Sequence, residues 1–492
     1  MPWASVVRLT ALITLLIGGA MAIPLVVAVV LGEPDAAALG IAVGAAILAG
    51  GGVSLALRGR GAEIGRRGSL LTVALAWVSA SFFGALPFFA YGHLHDVPIL
   101  RSFSACIFEI VSGYTTTGST VIADVESLPH GLLLWRHGSQ WLGGMGIIVL
   151  FVAILPILGV GAQELFRAEV PGTTKDKITP HLRDTARLLW VAYVAISVAQ
   201  LLALALAGMG WFDALCHTFT TMATGGFSTK NSGIMHWNSP AIEGVLTFFM
   251  VVAGMNFALH VRLFSERKPL LYLRDTEART YLAILALFTL GVAAALWDAG
   301  AYGGPGPALR HASFQVVTLM TTTGYNSADF HSWAASAPVV PFLLVLLMFI
   351  GGCSGSTAGA IKVSRLIVAA KHAWRELARV AHPRAVLPLR IDGRAVPEAI
   401  VSLTLAFIVL YVAHFVVGVI LVAATGQDLT TSASAVAATL GNVGPGFGAV
   451  GPTTNYGHLS PFALWVLTYE MLVGRLELVT VLVLATRAFW RR

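Results

Sequence analysis

The chain has 492 residues, of which 57% are hydrophobic and only 11% are charged, and its mean hydropathy is +0.79. Soluble globular chains carry about 25% charged residues, so the composition excludes an ordinary soluble protein. The three cysteines lie far apart without a CxxC motif, which excludes a disulfide framework and a zinc site. We therefore expect a polytopic membrane protein, in which 51 glycines are an unusual feature.

Ten apolar segments are each long enough to cross a hydrocarbon core of about 30 Å. They cover 9–31, 36–57, 69–92, 133–160, 184–208, 240–261, 278–298, 337–370, 398–424 and 460–486. Residues 20–22 (AMA) imitate a signal-peptidase site, but the apolar run continues past them, so we predict a retained helix. The fold class predicted is an all-α polytopic membrane protein with about ten transmembrane helices.

Most of the 31 Lys and Arg residues lie in alternate connections between these segments and at the two ends of the chain. The positive-inside rule then places the N- and C-termini in the cytoplasm, which agrees with an even number of spans. The net charge of +7 belongs to the cytoplasmic face and is dispersed over several loops. The charge pattern therefore gives no indication of nucleic-acid binding.

One pattern occurs four times after the first two spans. A short half-apolar segment, at 102–113, 212–222, 308–320 and 430–440, is followed each time by a turn rich in Thr, Asn or Gly. We call these turns the first (115–119, TTTGS), second (223–227, ATGGF), third (321–325, TTTGY) and fourth turn (441–445, GNVGP). Their glycines, Gly118, Gly226, Gly324 and Gly444, are separated by 108, 98 and 120 residues. A recurring period marks one supersecondary unit copied along the chain.

The pattern predicts four pseudo-symmetric helix–pore-loop–helix repeats around a central pore, with four re-entrant pore helices. The predicted boundaries are an N-terminal two-helix hairpin at 1–60 and repeats at 61–165, 166–268, 269–380 and 381–492. A helix that enters the membrane and returns must line a cavity or be buried in protein. Rings of backbone carbonyls can replace the hydration shell of a cation. The alternative is re-entrant packing segments with ordinary turns; four copies favour the pore.

The segment 337–370 is too long for one straight crossing. Its part from about 339 to 370, about 32 helical residues, would extend roughly 48 Å. Gly351, Gly352, Gly355 and Gly359 lie in its middle, and broken helices in membranes occur where they line a cavity. We hypothesise a mobile loop that obstructs the pore below the turns. The alternative is a small-residue face for helix packing, since Gly355 and Gly359 form a GxxxG motif.

Arg475 lies near the middle of the last span, where an ionisable group is costly and usually functional. On the pore side it would place a positive charge below the turns and slow the passage of cations. The alternative is a structural ion pair with Glu470 or Glu477, and the two roles are compatible.

At these residues the sequence resembles a known family. The four turns resemble the selectivity filters of the Trk/Ktr/HKT potassium transporter superfamily. The segments 166–172, 175–180, 351–362 and 469–477 resemble the bacterial Trk membrane subunit (TrkH type). The additional N-terminal hairpin favours the Trk type over the shorter Ktr type.

The resemblance implies potassium uptake across the bacterial cytoplasmic (inner) membrane, with the potassium ion as substrate and no cofactor bound by this chain. The filter residues would be Thr116, Thr117, Gly118, Thr224, Gly225, Gly226, Thr322, Thr323, Gly324, Asn442, Val443 and Gly444. The gate and barrier residues would be Gly351, Gly352, Gly355, Gly359, Lys362 and Arg475. Glycine in all four turns favours potassium over sodium in this superfamily, although the fourth turn departs from the TTG pattern.

The resemblance also implies a homodimer in membrane lipid and a cytosolic regulatory subunit of TrkA type, whose RCK domain binds nucleotide. A sodium-selective or sodium/proton-coupled member of the superfamily is the alternative function. An intramembrane enzyme using Ser354 or Glu470 is a further alternative, but the sequence offers no third group to orient a base. We therefore expect a transporter and not an enzyme.

Overall fold

The computed structural model describes residues 2–60, 64–146, 182–266, 271–385 and 387–491. The predicted end of the fourth span and the motifs at 166–172 and 175–180 lie outside these residues. In chain order the helices are α1 (Trp3–Leu31), α2 (Ala36–Ala56), α3 (Arg66–Leu94), α4 (Phe103–Tyr114), α5 (His130–Gly144), α6 (Leu182–Leu206), α7 (Trp211–Met222), α8 (Pro240–Ala253), α9 (Phe257–Glu266), α10 (Leu271–Arg274), α11 (Thr276–Asp298), α12 (Pro305–Met320), α13 (Trp333–Ser336), α14 (Val339–Met348), α15 (Val363–Ala381), α16 (Glu398–Ala423), α17 (Leu429–Leu440), α18 (Pro461–Arg475), α19 (Val479–Leu484) and α20 (Arg487–Trp490). Two short strands, β1 (Arg390–Ile391) and β2 (Arg394–Ala395), form an antiparallel hairpin.

Six helices of the described residues are long and apolar enough to cross a membrane, namely α1, α2, α3, α6, α11 and α16. The other predicted spans are shorter or interrupted. α8 and α9 meet at an angle of 93°, and the segments 337–370 and 460–486 leave the helix after Met348 and Arg475. Hydropathy measures the length of an apolar run and does not show where the helix breaks within it.

The four short segments predicted to re-enter the membrane are all helical, as α4, α7, α12 and α17. They are buried to an unusual degree; every residue of α4 from Ser104 to Tyr114 is buried. A helix that is covered on all sides lies in the interior of a protein. At the N-terminus of α17 the Asp428 side chain accepts a hydrogen bond from the amide of Thr431, which caps a free helix amide.

The N-terminal hairpin formed by α1 and α2 packs against α3 and also fixes the start of α5. A Cβ at Gly50 would lie within 3.0 Å of the Leu15 backbone, so α1 and α2 approach closely. The connection between them supplies two carboxyl groups. Glu33 accepts from the amide of His130 at 2.6 Å and Asp35 accepts from the amide of Leu132 at 2.8 Å. These acids cap the amides that the first turn of α5 leaves unpaired.

A buried ion pair joins α4 to α5 behind the first two turns. The Nε of Arg136 lies 2.7 Å from Oε1 of Glu109, and both side chains are at most 2% exposed. Glu109 also accepts from the amide of Val121, and Arg136 donates to the carbonyl of Ser228. The guanidinium lies 3.5 Å from the ring centre of Phe227. This network ties the segments that follow α4 and α7 to one side chain of α5.

We expect Arg136→Met to destabilise the protein strongly because it leaves the Glu109 carboxylate buried without its partner. Breaking one side of such a pair costs about 3–5 kcal/mol, and the loss is measured as a lower melting temperature and a lower monodisperse yield in detergent. Arg379→Met is the control, since its ion pair with Glu376 is exposed and such pairs contribute about 0–1 kcal/mol. Equal melting temperatures for the two variants would contradict the prediction that the buried Arg136–Glu109 pair matters more for stability than the exposed pair. Adding Glu109→Gln to Arg136→Met should recover part of the loss.

Candidate functional site

The four turns share one unusual backbone conformation. The first residue of each turn has a φ between −77° and −79°. The second residue has a positive φ, and so does the glycine at the fourth position. The second-position values are 56° for Thr116, 54° for Thr224, 56° for Thr322 and 52° for Asn442. A left-handed conformation costs a residue with a side chain about 1–2 kcal/mol. Four equivalent outliers indicate a functional constraint.

The amides of the turns point back to the preceding helices. The third residue of each turn donates to the carbonyl five residues earlier, in the pairs Thr117–Ser112 (2.9 Å), Gly225–Thr220 (2.7 Å), Thr323–Thr318 (2.8 Å) and Val443–Ala438 (2.7 Å). These bonds use the amides of the turns and do not involve the carbonyls of the second and third residues. Among the described hydrogen bonds, only one of these eight carbonyls has a donor, namely Gly225, which accepts from Gln140.

The glycines of the four turns close a ring. Each glycine faces the third-position carbonyl of another turn, and a Cβ added to it would lie within 3.0 Å of that oxygen. The pairs are Gly118 with Gly225, Gly226 with Thr323, Gly324 with Val443, and Gly444 with Thr117. The last pair returns to the first turn, so the four turns surround one axis in chain order. The structure thus brings together all twelve residues that the sequence predicted as a filter.

A cavity of about 170 Å³ opens on the glycine side of the ring. All four ring glycines line it, together with polar residues of the loops that follow the turns, such as Asn326. At its edge, the Asn231 side chain donates to Asp124 at 2.8 Å and holds the pKa of that carboxyl below its usual range. Asp124 therefore keeps a negative charge near the mouth of the cavity.

On the opposite side of the ring lies an irregular segment between α14 and α15, residues 349–362, which we call the inner loop. The amide of Gly359 donates to the hydroxyl of Thr322 in the third turn at 2.7 Å. A Cβ on Gly359 would also lie within 3.0 Å of the Gly441 carbonyl in the fourth turn. The hydroxyl of Thr357 donates to the carbonyl of Met222 at the end of α7, at 3.1 Å. The inner loop therefore contacts the end of α7 and the third and fourth turns, on the side of the ring opposite the cavity.

The inner loop is fastened at both ends. Gly351 donates its amide to the carbonyl of Ile361 at 2.9 Å, which closes the loop at its neck. The Glu277 carboxylate at the start of α11 accepts from the amides of Ser354 (2.7 Å) and Ser364 (2.9 Å). The ammonium group of Lys362 donates to the carbonyl of Ala358, within the loop itself. Lys362 thus supports the fold of the loop, and Glu277 is a contact that the sequence analysis did not predict.

Arg475 connects the ring to the inner loop. One guanidinium nitrogen donates to the Thr116 hydroxyl at 3.0 Å and to the Thr357 carbonyl at 2.7 Å. The other nitrogen donates to the carbonyls of Gly143 and Gly144 at the end of α5, at 2.7 and 2.9 Å. The positive charge therefore lies against both the first turn and the inner loop.

The two acids considered as partners of Arg475 have other surroundings. Glu477 forms an ion pair with Arg365. The buried Glu470 side chain faces α16, where its Oε1 would lie 2.9 Å from a Cβ on Gly418. Arg475 donates to hydroxyl and carbonyl oxygens, and these contacts are compatible with a role beside the ring.

Gln140 is a ring contact that the sequence analysis missed. It lies on α5 and is fully buried. Its Nε2 donates to the Gly225 carbonyl at 2.6 Å, and its Oε1 accepts from the amide of Phe227 at 3.3 Å. The sequence did contain a signal, since Gln140 lies within an apolar span. A carboxamide buried there requires a hydrogen-bond partner.

Comparison with known proteins identifies the family of this chain. The family model TrkH, described as cation transport protein, matches residues 41–491. The Trk system potassium uptake protein TrkH of Halomonas elongata is 40% identical over 488 residues, covering 99% of each chain. Its namesake in Escherichia coli K12 is 39% identical over the whole of both chains. The crystal structure of the potassium transporter TrkH from Vibrio parahaemolyticus matches with a TM-score of 0.88 and 36% identity, covering 100% of each chain.

These likenesses confirm the predicted resemblance and the all-α, multi-pass membrane fold, and the family is one of transporters and not of enzymes. The chain belongs to the TrkH family of cation transport proteins.

Proposed function

We propose that this protein conducts potassium ions inward across the bacterial cytoplasmic membrane, through the ring of the four turns acting as a selectivity filter. The observation that carries the proposal is the closed ring, in which third-position amides of the turns are bonded to the short helices and seven of the eight second- and third-position carbonyls receive no donor from the described residues. The names of the relatives, which are potassium uptake proteins, support potassium as the substrate. The ion is the transported substrate, and the proposal includes no cofactor bound by this chain.

The physical reasoning starts from dehydration. A cation that leaves water needs oxygen ligands of comparable strength, and rings of backbone carbonyls supply them. The four short helices direct their C-terminal ends, which carry partial negative charge, towards the turns. The ring glycines fix the spacing, because each packs against a carbonyl of another turn. Glycine at this position in every turn supports potassium selectivity over a sodium-selective alternative.

Replacing any ring glycine by serine tests the filter. Each variant places a Cβ against a carbonyl oxygen, on a residue whose φ is positive. The variants are Gly118→Ser, Gly226→Ser, Gly324→Ser and Gly444→Ser. The left-handed strain alone is about 1–2 kcal/mol, so we expect Rb⁺ uptake into proteoliposomes to fall about tenfold or more. Competition by Na⁺ should become stronger in whatever uptake remains.

Gly291→Ser on α11 is the matched control, since a Cβ at Gly291 meets nothing within 4 Å. It should keep wild-type uptake. Wild-type uptake and Na⁺ competition in all four ring variants would refute the filter. Equal transport of Na⁺ and Rb⁺ by the wild-type protein would favour the sodium-selective alternative.

The proposed gate is the inner loop, and the proposed barrier is Arg475. The contacts of Gly359 and Thr357 support this role because they join the loop to the third turn and to the end of α7, on the side of the ring opposite the cavity. Arg475 adds a positive charge at the same level, where it repels an entering cation. Gly351, Gly352, Gly355 and Gly359 belong to the gate as the residues that let the chain leave the helix, and Lys362 belongs to it as a support of the closed conformation.

Removal of residues 353–358 should raise Rb⁺ flux through the isolated protein. The neck of the loop makes the deletion possible, because Gly351 and Ile361 are already hydrogen-bonded to each other. Flux is normalised to the folded amount measured by gel filtration. Unchanged flux per folded protein would count against the gate.

Arg475→Gln should likewise increase Rb⁺ flux, whereas Arg475→Lys retains the charge and should keep flux low. Arg365→Gln is the control, because Arg365 pairs with Glu477 and stacks on Phe407. If Arg475→Gln lowers the folded yield without raising flux per folded protein, the residue is structural and the barrier role fails.

The proposal extends to partners and placement. We propose both termini in the cytoplasm of a bacterial inner membrane, a homodimer, and a cytosolic nucleotide-binding subunit of TrkA type with an RCK domain. The basic connections of the sequence support the orientation, and the names of the relatives, which refer to a Trk system, support further components. The repeat boundaries at 61–165, 166–268, 269–380 and 381–492, after the hairpin at 1–60, stay a prediction.

A further inference from the structure

The first and third turns are braced by pairs of threonine hydroxyls. The hydroxyls of Thr115 and Thr117 lie 2.8 Å apart, and those of Thr321 and Thr323 also lie 2.8 Å apart. In each pair the first hydroxyl donates as well to the helix carbonyl four residues earlier. The third residue of these turns, whose carbonyl belongs to the ring, is therefore held from its side chain as well as from its amide.

The second turn lacks this brace. Ala223 and Gly225 stand where the first and third turns have the two threonines, so no hydroxyl is available. The Gln140 carboxamide lies there instead. A Cβ on Gly225 would lie within 3.0 Å of the Cδ, Oε1 and Nε2 atoms of Gln140. The glutamine thus occupies the space into which the third side chain of this turn would extend, and it bonds the Gly225 carbonyl directly.

The fourth turn shows the same substitution of a carboxamide for the hydroxyl pair. Gly441 and Val443 stand at its first and third positions. The Asn442 side chain donates to the Thr117 hydroxyl at 3.0 Å and to the Met471 carbonyl at 3.0 Å. Each turn without the threonine pair is therefore held by a buried carboxamide. In the second turn that carboxamide comes from α5, 85 residues away in the chain.

We infer that Gln140 is a specificity-determining positioning residue, which holds the Gly225 carbonyl where the ring needs it. This inference rests on the proposed function of the ring as a filter. Gly225 has no side chain and the freest backbone of the four third-position residues. A carbonyl that is free to move can approach a smaller ion, whereas a carbonyl held on its outer side keeps its distance from the axis. Ion selectivity in such rings depends on this positioning and on carbonyl field strength.

Gln140→Met tests the inference, because methionine has a similar length and volume but cannot donate to Gly225. The readout is the ratio of the Na⁺ concentration that halves Rb⁺ uptake to the Rb⁺ concentration that half-saturates it. We expect this ratio to fall about fivefold to tenfold, the factor of a single buried hydrogen bond. The folded amount and the maximal uptake should change much less than the ratio.

Gln200→Met is the matched control. Gln200 is also fully buried, on α6, and its carboxamide makes no hydrogen bond among the described residues. It should leave the ratio unchanged. A wild-type ratio in Gln140→Met would overturn the inference while the proposed function stood. Absence of Rb⁺ uptake in the wild-type protein would instead overturn the proposed function.

A second pair of variants keeps the test decisive if Gln140→Met does not fold. Gly225→Ala alone should collide with Gln140 and lose most uptake, whereas Gly225→Ala with Gln140→Ala should recover it because the space is free. The recovered protein should show the lowered ratio, since the donor to the carbonyl is gone. If the double variant is as impaired as the single one, or keeps the wild-type ratio, the inference fails.

Discussion

The constraint on which the structure depends is that every backbone polar group within a membrane needs a partner. In the four turns, third-position amides meet this requirement within the protein, whereas most of the second- and third-position carbonyls do not. The amides are bonded to the ends of the short helices, and seven of the eight second- and third-position carbonyls receive no donor from the described residues. Such carbonyls are stable inside a protein only if water or a cation meets them. The burial of α4, α7, α12 and α17 and the packing of the ring glycines serve to hold those carbonyls in place.

The ring has approximate fourfold symmetry, but the groups that contact it do not share that symmetry. The inner loop follows the third turn in the chain, Arg475 follows the fourth turn, and Gln140 follows the first turn but contacts the second. A pore built from four identical chains would carry each of these groups four times around a narrow axis. Because the four turns lie in a single chain, one loop and one guanidinium can occupy the side of the ring opposite the cavity. The single chain therefore allows an asymmetric set of contacts on one side of four similar turns.

The sequence predicted the features that are local or periodic. Short apolar segments followed by turns rich in Thr, Asn or Gly at a regular period predicted the helices α4, α7, α12 and α17 and the turns after them, because helix length and glycine placement are readable along the chain; the twelve filter residues were predicted from the family resemblance. The break within 337–370 was predicted from its length and glycines. The 93° bend between α8 and α9 was not, since Gly254 to Asn256 interrupt a run that hydropathy treats as continuous. The partners of Arg475 and Gln140 come from distant segments, and neither period nor hydropathy contains that information.

The fourth turn shows what the ring requires of its residues. Its sequence, GNVGP, departs from the TTG pattern, yet Asn442 has the same positive φ as Thr116, Thr224 and Thr322. Asparagine tolerates that conformation, and its carboxamide finds partners in neighbouring elements. Valine replaces threonine at the third position, as glycine does in the second turn, without changing the carbonyl that contacts a ring glycine. The backbone conformation and the glycine are thus the fixed elements, and the side chains are free to differ provided that something holds each carbonyl from behind.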